Sequence, residues 1–429
     1  MGAPFRFIHA ADLHLDSPFR GLSRAPEAVR ESLVAADFAA LRKLTDTAIA
    51  EKVDFIVIAG DLFDEADRSL RAQLTLVKEW ERLEEHGIAV FAIHGNHDHL
   101  GGSRARMALP SNVHIFGSER VSHYPAYCRS GELAAYVYGI SYGERAVLRN
   151  LAEEYAVSEE APFHIALYHG NVGGDLQHDP YAACQLEQLT GSAFHYWALG
   201  HIHKRQELHA YPHVVYAGNM QGRHPREAGE KGCYLVEVSS SHEVRLVFMP
   251  LDSIRFQEES VSIEDIGGEQ ELLLRLRQLV MRVADESKGR SIMLRIRIGG
   301  SGPLHDTLLQ STVISDLLLE LQGEFEPQPN QPWVYLYALE AATRAELDWS
   351  SLADEDSFAG EMLRLSEQLA VDTEQWRSFS AESLGDIRTH AKLGRLGRAK
   401  WDELPERWLQ EAKELAIGLV AEGVREKGG

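Results

Sequence analysis

The chain has 429 residues, 44% hydrophobic and 25% charged, which is typical of a soluble protein with two or three domains. Its formal net charge of -22 argues against a protein that binds nucleic acid with its whole surface, so any polyanion must be held locally or by a partner. No apolar run approaches the ~18 residues of a membrane span, no signal peptide is recognisable, and three dispersed cysteines favour neither a disulfide framework nor a zinc site, so we expect a cytoplasmic protein without a membrane partner.

Residues 1–255 alternate short apolar runs with amphipathic stretches, which predicts an α/β domain. In chain order we predict a strand over 5–11, a helix over 27–51, a strand over 53–58, a helix containing Trp80 and Leu83, and strands over 88–93, 135–140, 163–168 and 196–199. The apolar runs between Val214 and Met249 have no helix between them, so we expect the sheet to finish in hairpins.

A polar segment over 254–268 is predicted to be a linker. Beyond it, Leu272 begins a leucine pattern with helical spacing, residues 292–298 alternate as in a half-exposed strand, and a helix over 304–321 and a strand over 333–339 complete a small α/β unit. The charged remainder is helix-like. We therefore expect domains at 1–255, 256–343 and 344–429.

The predicted strand ends of the first domain share an unusual chemistry. Five segments follow such ends: Asp12-Leu13-His14, Gly60-Asp61-Leu62-Phe63-Asp64, Gly95-Asn96-His97-Asp98, His169-Gly170 and Gly200-His201-Ile202-His203. Residues just past the carboxyl ends of parallel strands gather in one crevice, so separate segments can deliver ligands to one point.

Carboxylate, imidazole and amide oxygen together suit divalent ions such as manganese, iron or zinc. Two ions about 3.5 to 4 Å apart need a bridging anion, and Asp61 is our candidate. Side chains two apart on an extended strand point the same way, so Asp12 and His14 could hold one ion together. His201 and His203 could each take a different ion.

Each motif has an ordinary alternative. A lone DxH, or an Asp after an apolar strand, is more typical of a cap or a turn, and His169 alone could be a core histidine. Five such segments in one domain, each at a predicted strand end, favour a metal centre.

The ordered set DLH, GDLFD, GNHD, YHG and GHIH resembles the calcineurin-like metallophosphoesterases. The surrounding text, FIHAADLHLDSPF, WALGHIHKRQ and YAGNMQGRHPREAGEKGCYLVEV, is similar to the bacterial DNA-repair exonuclease branch related to SbcD, most nearly its YhaO type. The resemblance implies a four-layer α/β/β/α sandwich over about 255 residues, a small α/β capping domain and a helical C-terminal region.

The resemblance also implies roles for these residues. One ion would be held by Asp12, His14, Asp61 and His203, and the second by Asp61, Asn96, His169 and His201. His97 would protonate or stabilise the leaving oxygen, and Asp98 would orient His97. The ions implied are two Mn²⁺, with Fe²⁺, Zn²⁺ or Mg²⁺ as alternatives. Asp64 stands where archaeal and eukaryotic relatives tend to carry a histidine, and we interpret it as a residue behind the ligands or a helix cap.

The activity implied is metal-dependent exonuclease hydrolysis of DNA phosphodiesters in DNA repair, with single-strand endonuclease activity. Basic residues within or after the metal-bearing loops could bind the DNA backbone, among them Arg104, Arg106, Lys204, Arg205 and Arg223. The alternative is that they are ordinary loop arginines. The capping unit would select DNA ends, or else serve oligomerisation.

Two rival functions stay open. One is a small-molecule phosphodiesterase or nucleotide pyrophosphatase on the same metal core; the other is an inactive scaffold for an SMC-like coiled-coil ATPase. Such an ATPase is also the partner that the resemblance implies for an active nuclease, and a homodimer is a further expectation. The basic stretch from Arg388 to Lys400, and leucines such as Leu363, Leu365, Leu369, Leu409 and Leu415, could bind that partner or pack on the chain itself.

Overall fold

A computed structural model describes residues 3–18, 25–65, 69–102, 108–147, 149–158, 160–173, 182–328, 331–346, 349–383, 385, 412–413, 415–418 and 420. None of the helices within these ranges is long and apolar enough to cross a membrane. The basic stretch from Arg388 to Lys400 lies outside the described residues, as does Leu409.

The described chain contains strands and helices in mixed order. The strands are β1 (Phe5–Ala10), β2 (Phe55–Ala59), β3 (Ala89–Ile93), β4 (Val113–Ile115), β5 (Ser122–Tyr127), β6 (Leu133–Gly139), β7 (His164–His169), β8 (Tyr196–Gly200), β9 (Gln206–Ala210), β10 (His213–Tyr216), β11 (Gly232–Val238), β12 (Val244–Pro250), β13 (Ile254–Ser262), β14 (Ser291–Gly299) and β15 (Val334–Ala341). The helices are α1 (Glu27–Ala50), α2 (Leu70–Glu85), α3 (Leu186–Thr190), α4 (Glu269–Glu286), α5 (His305–Leu308), α6 (Ser311–Glu324), α7 (Trp349–Asp354), α8 (Phe358–Val371) and α9 (Thr373–Ser383), with 3₁₀ turns at Leu151–Glu154 and Pro225–Glu227.

Two six-stranded sheets form the body of the first part of the chain. The first has the order β12-β11-β1-β2-β3-β4, and the second has the order β5-β6-β7-β8-β10-β9. β1 to β4 are parallel neighbours in the first sheet, and β6, β7, β8 and β10 are parallel in the second. The hairpin predicted between Val214 and Met249 is confirmed, because β11 pairs antiparallel with β12. A further antiparallel pair, β9 with β10, begins before that range.

The apolar side chains of the central strands alternate between two cores, as the two-residue period of a strand requires. In β2, Phe55, Val57 and Ala59 point into the core between the sheets, which also receives Ile165 and Leu167 of β7. The intervening Ile56 and Ile58 pack against α1 and α2 on the outer face of the first sheet. A third core covers the outer face of the second sheet with α3. The four-layer α/β/β/α arrangement is confirmed.

Two predictions in the middle of the chain were wrong. The segment predicted as a linker forms β13 from Ile254, because Ile254 and Phe256 are buried at alternate positions. The helix predicted over 304–321 is two helices, α5 and α6, with Leu309 and Gln310 between them.

The contacts divide the chain into two compact units, and the first is not one continuous stretch. It comprises 1–259, 280–295 and 320–338. The later segments belong to it because Met293 and Trp333 are buried in one core with Val29 and Leu33 of α1. The second unit comprises 260–279, 296–319 and 339–429.

Candidate metal centre

The side chains predicted to bind metal lie at the carboxyl ends of strands in both sheets. Asp12 and His14 follow β1, Asp61 follows β2 and Asn96 follows β3. From the second sheet, His169 is the last residue of β7, and His201 and His203 follow β8. Because parallel strands end at one edge, the packing of the two sheets brings these side chains together.

The first cluster joins Asp12, His14 and His203. One ligand atom from each lies within 4.8 Å of the others. The Nε2 atoms of His14 and His203 are 3.0 Å apart. Asp12 and His14 are fully buried, whereas the His203 side chain is 24% exposed, so this cluster opens to the surface at His203.

The second cluster joins Asp12, Asp61 and His169, all buried. Nε2 of His169 lies 2.9 Å from Oδ1 of Asn96, which adds the expected amide oxygen. Oδ2 of Asp61 is 3.5 Å from Nε2 of His14 and 3.4 Å from Nε2 of His169. Asp61 therefore lies between the histidines of the two clusters, the position that a shared carboxylate requires.

His201 contacts the second cluster. Its backbone N–H donates to both carboxylate oxygens of Asp12, at 2.9 and 3.1 Å. Its ring centroid lies 5.3 Å from that of His169. All seven side chains predicted as ligands are thus brought to one edge of the sheets.

The backbone of these loops is unusual. Asp12, His14, Asp61 and His201 all have positive φ angles, a conformation that costs free energy in residues other than glycine and is concentrated at functional sites. The prediction that Asp12 and His14 converge because they lie on an extended strand was wrong. β1 ends at Ala10, and the turn beyond it aims the two side chains.

Gly95 is required by the close packing of the side chains predicted to bind metal. A Cβ atom at this position would lie 2.6 Å from Nε2 of His169 and still nearer to the carboxylate of Asp61. The glycine of the GNHD segment therefore lets its backbone approach the side chains of both Asp61 and His169.

His97 lies beside the clusters. Its backbone N–H donates to Oδ1 of Asp61 at 3.0 Å, and its ring centroid is 4.8 Å from that of His14. Its Nδ1 lies 2.8 Å from the carbonyl oxygen of Asp64. Because a carbonyl only accepts, Nδ1 carries a hydrogen and Nε2 is the nitrogen that can exchange a proton with a substrate.

The Asp98 carboxylate acts on the backbone of the loops. It accepts the N–H of Leu62 at 3.0 Å and that of Gly95 at 2.8 Å, and it contacts Nδ1 of His94 at 2.7 Å. The His97 ring was expected to be oriented by Asp98, but the hydrogen bond from Nδ1 of His97 to the Asp64 carbonyl oxygen orients it instead. Asp98 joins the loop after β2 to the loop after β3.

Asp64 stands behind the first cluster, as one of its two predicted interpretations required. Its carboxylate is 3.2 Å from Nδ1 of His14 and also binds the Arg223 guanidinium. The other interpretation, a helix cap, was wrong, because the hydroxyl of Ser69 caps α2 by accepting the Ala72 N–H.

Sequence reasoning assigned no role to Glu227, although it touches the centre. Its Oε1 lies 2.7 Å from Nδ1 of His203. The pair is separated by 24 residues and joins two different loops, so no local pattern signals it. Burial alone would raise the pKa of Glu227, but the hydrogen bond and charge of His203, together with the N–H and charge of Arg223, outweigh burial and hold that pKa well below its usual range.

Burial and charge shape the ionisation of the clusters. Burial raises the pKa of Asp12, and it lowers the pKa of His14 to about 3 with help from the charge of Arg223. Burial would also raise the pKa of Asp61, but the charge and hydrogen bond of His169, together with the nearby His14 and His97, outweigh burial and hold that pKa well below its usual range. Conversely, burial would lower the pKa of His169, but the charge and hydrogen bond of Asp61, the charge of Asp12 and the hydrogen bond to the Ala59 carbonyl together raise it to about 9.

The residues proposed for substrate binding differ in their surroundings. Arg104 and Arg106 lie outside the described residues. Lys204 is exposed, and the guanidinium of Arg205 lies 3.8 Å from the ring centroid of Phe248 while its side chain is 41% exposed. The Arg223 side chain is only 16% exposed, and its guanidinium binds Asp64 and the hydroxyl of Ser17. Its contacts are therefore within the protein.

The donor set fits two divalent cations. Imidazole nitrogens, carboxylates and an amide oxygen converge without thiolate, and the second nitrogen of each of three clustered histidines contacts a group outside the two clusters. Those second nitrogens, all Nδ1, contact the Asp64 carboxylate for His14, the Ala59 carbonyl for His169 and Glu227 for His203. Nε2 of each ring is thereby left for the clusters.

Two family profiles match the chain. The calcineurin-like phosphoesterase profile matches residues 5–205, and the profile of the middle domain of the metallophosphoesterase YhaO matches residues 256–344. The chain is 38% identical to the metallophosphoesterase YhaO of Bacillus subtilis over 401 residues, which cover 90% of this chain and 96% of that protein.

The chain is also similar to proteins named for DNA repair. It is 26% identical to the DNA double-strand break repair protein Mre11 of Methanopyrus kandleri, over 66% of this chain and 65% of that protein. It is 28% identical to the protein of the same name from Sulfurisphaera tokodaii, over 54% of this chain and 60% of that protein.

Proposed function

Because this chain belongs to the YhaO-type metallophosphoesterases, a group of calcineurin-like phosphoesterases, we propose that it is a dinuclear-metal-dependent DNA exonuclease that acts in DNA repair. The family uses a dinuclear metal site and hydrolyses phosphoesters. The observation that carries the proposal is the position of the Asp61 carboxylate, within 3.5 Å of His14 and 3.4 Å of His169.

In the proposed site, Asp12, His14, Asp61 and His203 would hold one ion, and Asp61, Asn96, His169 and His201 the other. When bound, a pair of divalent ions supplies an activated water and neutralises charge on phosphate oxygens. We propose Mn²⁺ as the metal.

His97 would act as the general acid. Since its Nδ1 hydrogen is committed to the Asp64 carbonyl, the proton transferred to the leaving oxygen must come from Nε2. The bond from its own N–H to Asp61 fixes His97 relative to the carboxylate that both ions would share. The acid is therefore held beside the phosphate that the ions would bind.

DNA is proposed as the substrate on two grounds. The relatives called Mre11 are named for DNA double-strand break repair. Lys204 and Arg205 follow His203 directly, and both are exposed enough to contact a phosphate backbone beside the clusters. The net charge of -22 makes such local contacts necessary.

We propose residues 256–343 as a cap that selects DNA ends and residues 344–429 as a region for an SMC-like ATPase partner. The match of the YhaO middle-domain profile to 256–344 supports the first boundary. On α8, Leu363 is buried in its own unit, whereas Phe358 and Leu365 are 73% and 50% exposed and are available to a partner. A cytoplasmic location agrees with buried free thiols at Cys128, Cys184 and Cys233.

End-labelled duplex and single-stranded DNA, incubated with purified protein in Mn²⁺ and then in Mg²⁺, test this function. We expect the label to be released in Mn²⁺ by the wild type and not by a His97→Ala variant. Survival of both DNAs while a mononucleotide diester is cleaved would replace the proposal with a small-molecule phosphodiesterase. Survival of all three substrates in a metal-loaded protein would favour a scaffold.

A further inference from the structure

The turn from Asn219 to Glu227 packs against the centre without supplying one of the predicted ligands. It ends in the 3₁₀ turn at Pro225–Glu227, where the His224 side chain accepts the N–H of Arg226. The Glu227 side chain is 17% exposed. A carboxylate that is this far buried needs hydrogen-bond partners, and the identity of those partners indicates its role.

Both oxygens of Glu227 are engaged. Oε2 accepts the side-chain amide of Asn219 at 2.9 Å and the backbone N–H of Arg223 at 2.8 Å. Oε1 lies 2.7 Å from Nδ1 of His203. Two donors from its own turn therefore fix the orientation of the carboxylate that contacts the His203 imidazole.

His203 is correspondingly held at two points. Nζ of Lys231 donates to its carbonyl oxygen at 2.8 Å, while Glu227 receives the hydrogen on Nδ1. An imidazole whose Nδ1 donates to a carboxylate presents Nε2 as the basic nitrogen. Here Nε2 is the atom that lies 3.0 Å from Nε2 of His14.

We propose that Glu227 is a positioning residue for His203, and that its carboxylate, fixed by Asn219 and the Arg223 N–H, sets the tautomer and the ring orientation with which His203 binds its ion. This inference rests on the proposed function, since it requires the metal centre to form. A carboxylate behind a metal-bound histidine also raises the basicity of that ligand, and losing such a partner typically weakens metal affinity about 10- to 100-fold.

A neighbouring carboxylate provides a matched control. Glu230 lies three positions along the chain, is 41% exposed, and pairs with Arg205 at 3.6 Å and Arg255 at 3.4 Å. Glu230→Gln removes the same charge from the same segment while His203 and Glu227 keep their contact.

The test is a Mn²⁺ titration of metal-free wild type, Glu227→Ala, Glu227→Gln and Glu230→Gln by calorimetry, with the melting temperature of each metal-free protein as the check on folding. We expect two ions in the wild type, and in Glu227→Ala about a 10- to 100-fold loss of affinity for one of them. Glu227→Gln should fall between, because its amide oxygen can accept from His203 but its NH₂ then faces two donors. Glu230→Gln should match the wild type.

Wild-type affinity for both ions in Glu227→Ala would overturn the inference and leave the proposed function intact. A wild type that binds no pair of ions would instead overturn the proposed function. If Glu227→Ala does not fold, Glu227→Gln decides, and two wild-type affinities in that variant would overturn the inference equally. An electron paramagnetic resonance spectrum in which Glu227→Gln keeps the coupled Mn²⁺ pair of the wild type unchanged would also count against it.

Discussion

Nε2 of His14 and Nε2 of His203 lie 3.0 Å apart, although 189 residues separate them in sequence. One follows β1 of the first sheet and the other follows β8 of the second, so only the packing of the two sheets can bring them together. Two imidazole nitrogens this close need a hydrogen or a cation between them. Burial lowers the pKa of His14 to about 3, so His14 offers a neutral nitrogen, the form that binds metal.

Replacing His97 by alanine is expected to reduce DNA hydrolysis by about 10²- to 10⁴-fold, the usual contribution of a well-placed proton donor. Metal content should stay at the wild-type value, because His97 is not among the predicted ligands. Rates of hydrolysis of end-labelled DNA check the loss of activity, and elemental analysis of the same samples checks the metal content. Full activity at equal metal content would remove His97 from the mechanism.

Asp61→Asn should lower the occupancy of both ions rather than one, because Asp61 lies between His14 and His169. Metal analysis after dialysis against a fixed Mn²⁺ concentration measures the effect. Asp46→Asn, which changes a carboxylate that is 62% exposed on α1, is the control and should keep both ions. Selective loss of one ion in Asp61→Asn would show that the carboxylate is not shared.

Asp98→Asn should destabilise the fold by about 1 to 3 kcal/mol, the cost of leaving a buried donor unsatisfied. The carboxylate accepts from Leu62 and Gly95 and contacts His94, and an amide has only one oxygen for these partners. Denaturant unfolding of the metal-free protein measures the change in free energy. An unchanged free energy of unfolding would mean that the two loops do not depend on Asp98.

Asp37→Asn should change how stability depends on pH. Burial raises the pKa of Asp37 to about 8 in the folded protein, against about 3.9 in an unfolded chain. The protonated Asp37 therefore contributes its full stabilisation to the wild type below about pH 4, and this contribution is lost as the pH rises through about 8. The loss occurs because, between these two pH values, only the unfolded state releases the proton. Asparagine can still accept the Ser17 N–H that Asp37 binds at 3.2 Å.

The stability of Asp37→Asn relative to the wild type should therefore increase from about pH 4 to pH 8 and then level off, because the wild type loses stability in that range. Urea unfolding at a series of pH values measures this difference. A difference that is constant with pH would show that Asp37 ionises normally in the fold.

The sequence was sufficient to predict which side chains gather at one edge of the sheets, because all of them lie in five segments at the ends of apolar strands, and that local signal does not depend on the rest of the chain. That these side chains bind metal stays a prediction, and the contacts behind them could not be predicted. Glu227 contacts His203, which is 24 positions away in sequence, and Arg223 contacts Asp64, which is 159 positions away. Such contacts depend on how the loops pack, and the spacing of residues in the sequence does not indicate them.

Local geometry was predicted less well than location. Asp12 and His14 were placed correctly at the end of β1, but positive φ angles, rather than an extended backbone, aim them. β13 was missed because buried Ile254 and Phe256 are followed by polar residues that resemble a linker. Both errors arise where tertiary packing outweighs local preference.

Anomalous diffraction at the manganese edge, from crystals of the wild-type protein soaked in Mn²⁺, tests the shared carboxylate most directly. We predict two peaks about 3.5 to 4 Å apart. The Asp61 carboxylate should lie between them, with Nε2 of His203 on one ion and Nε2 of His169 on the other. A single peak, or two peaks with Asp61 bound to only one of them, would contradict a dinuclear centre bridged at this residue.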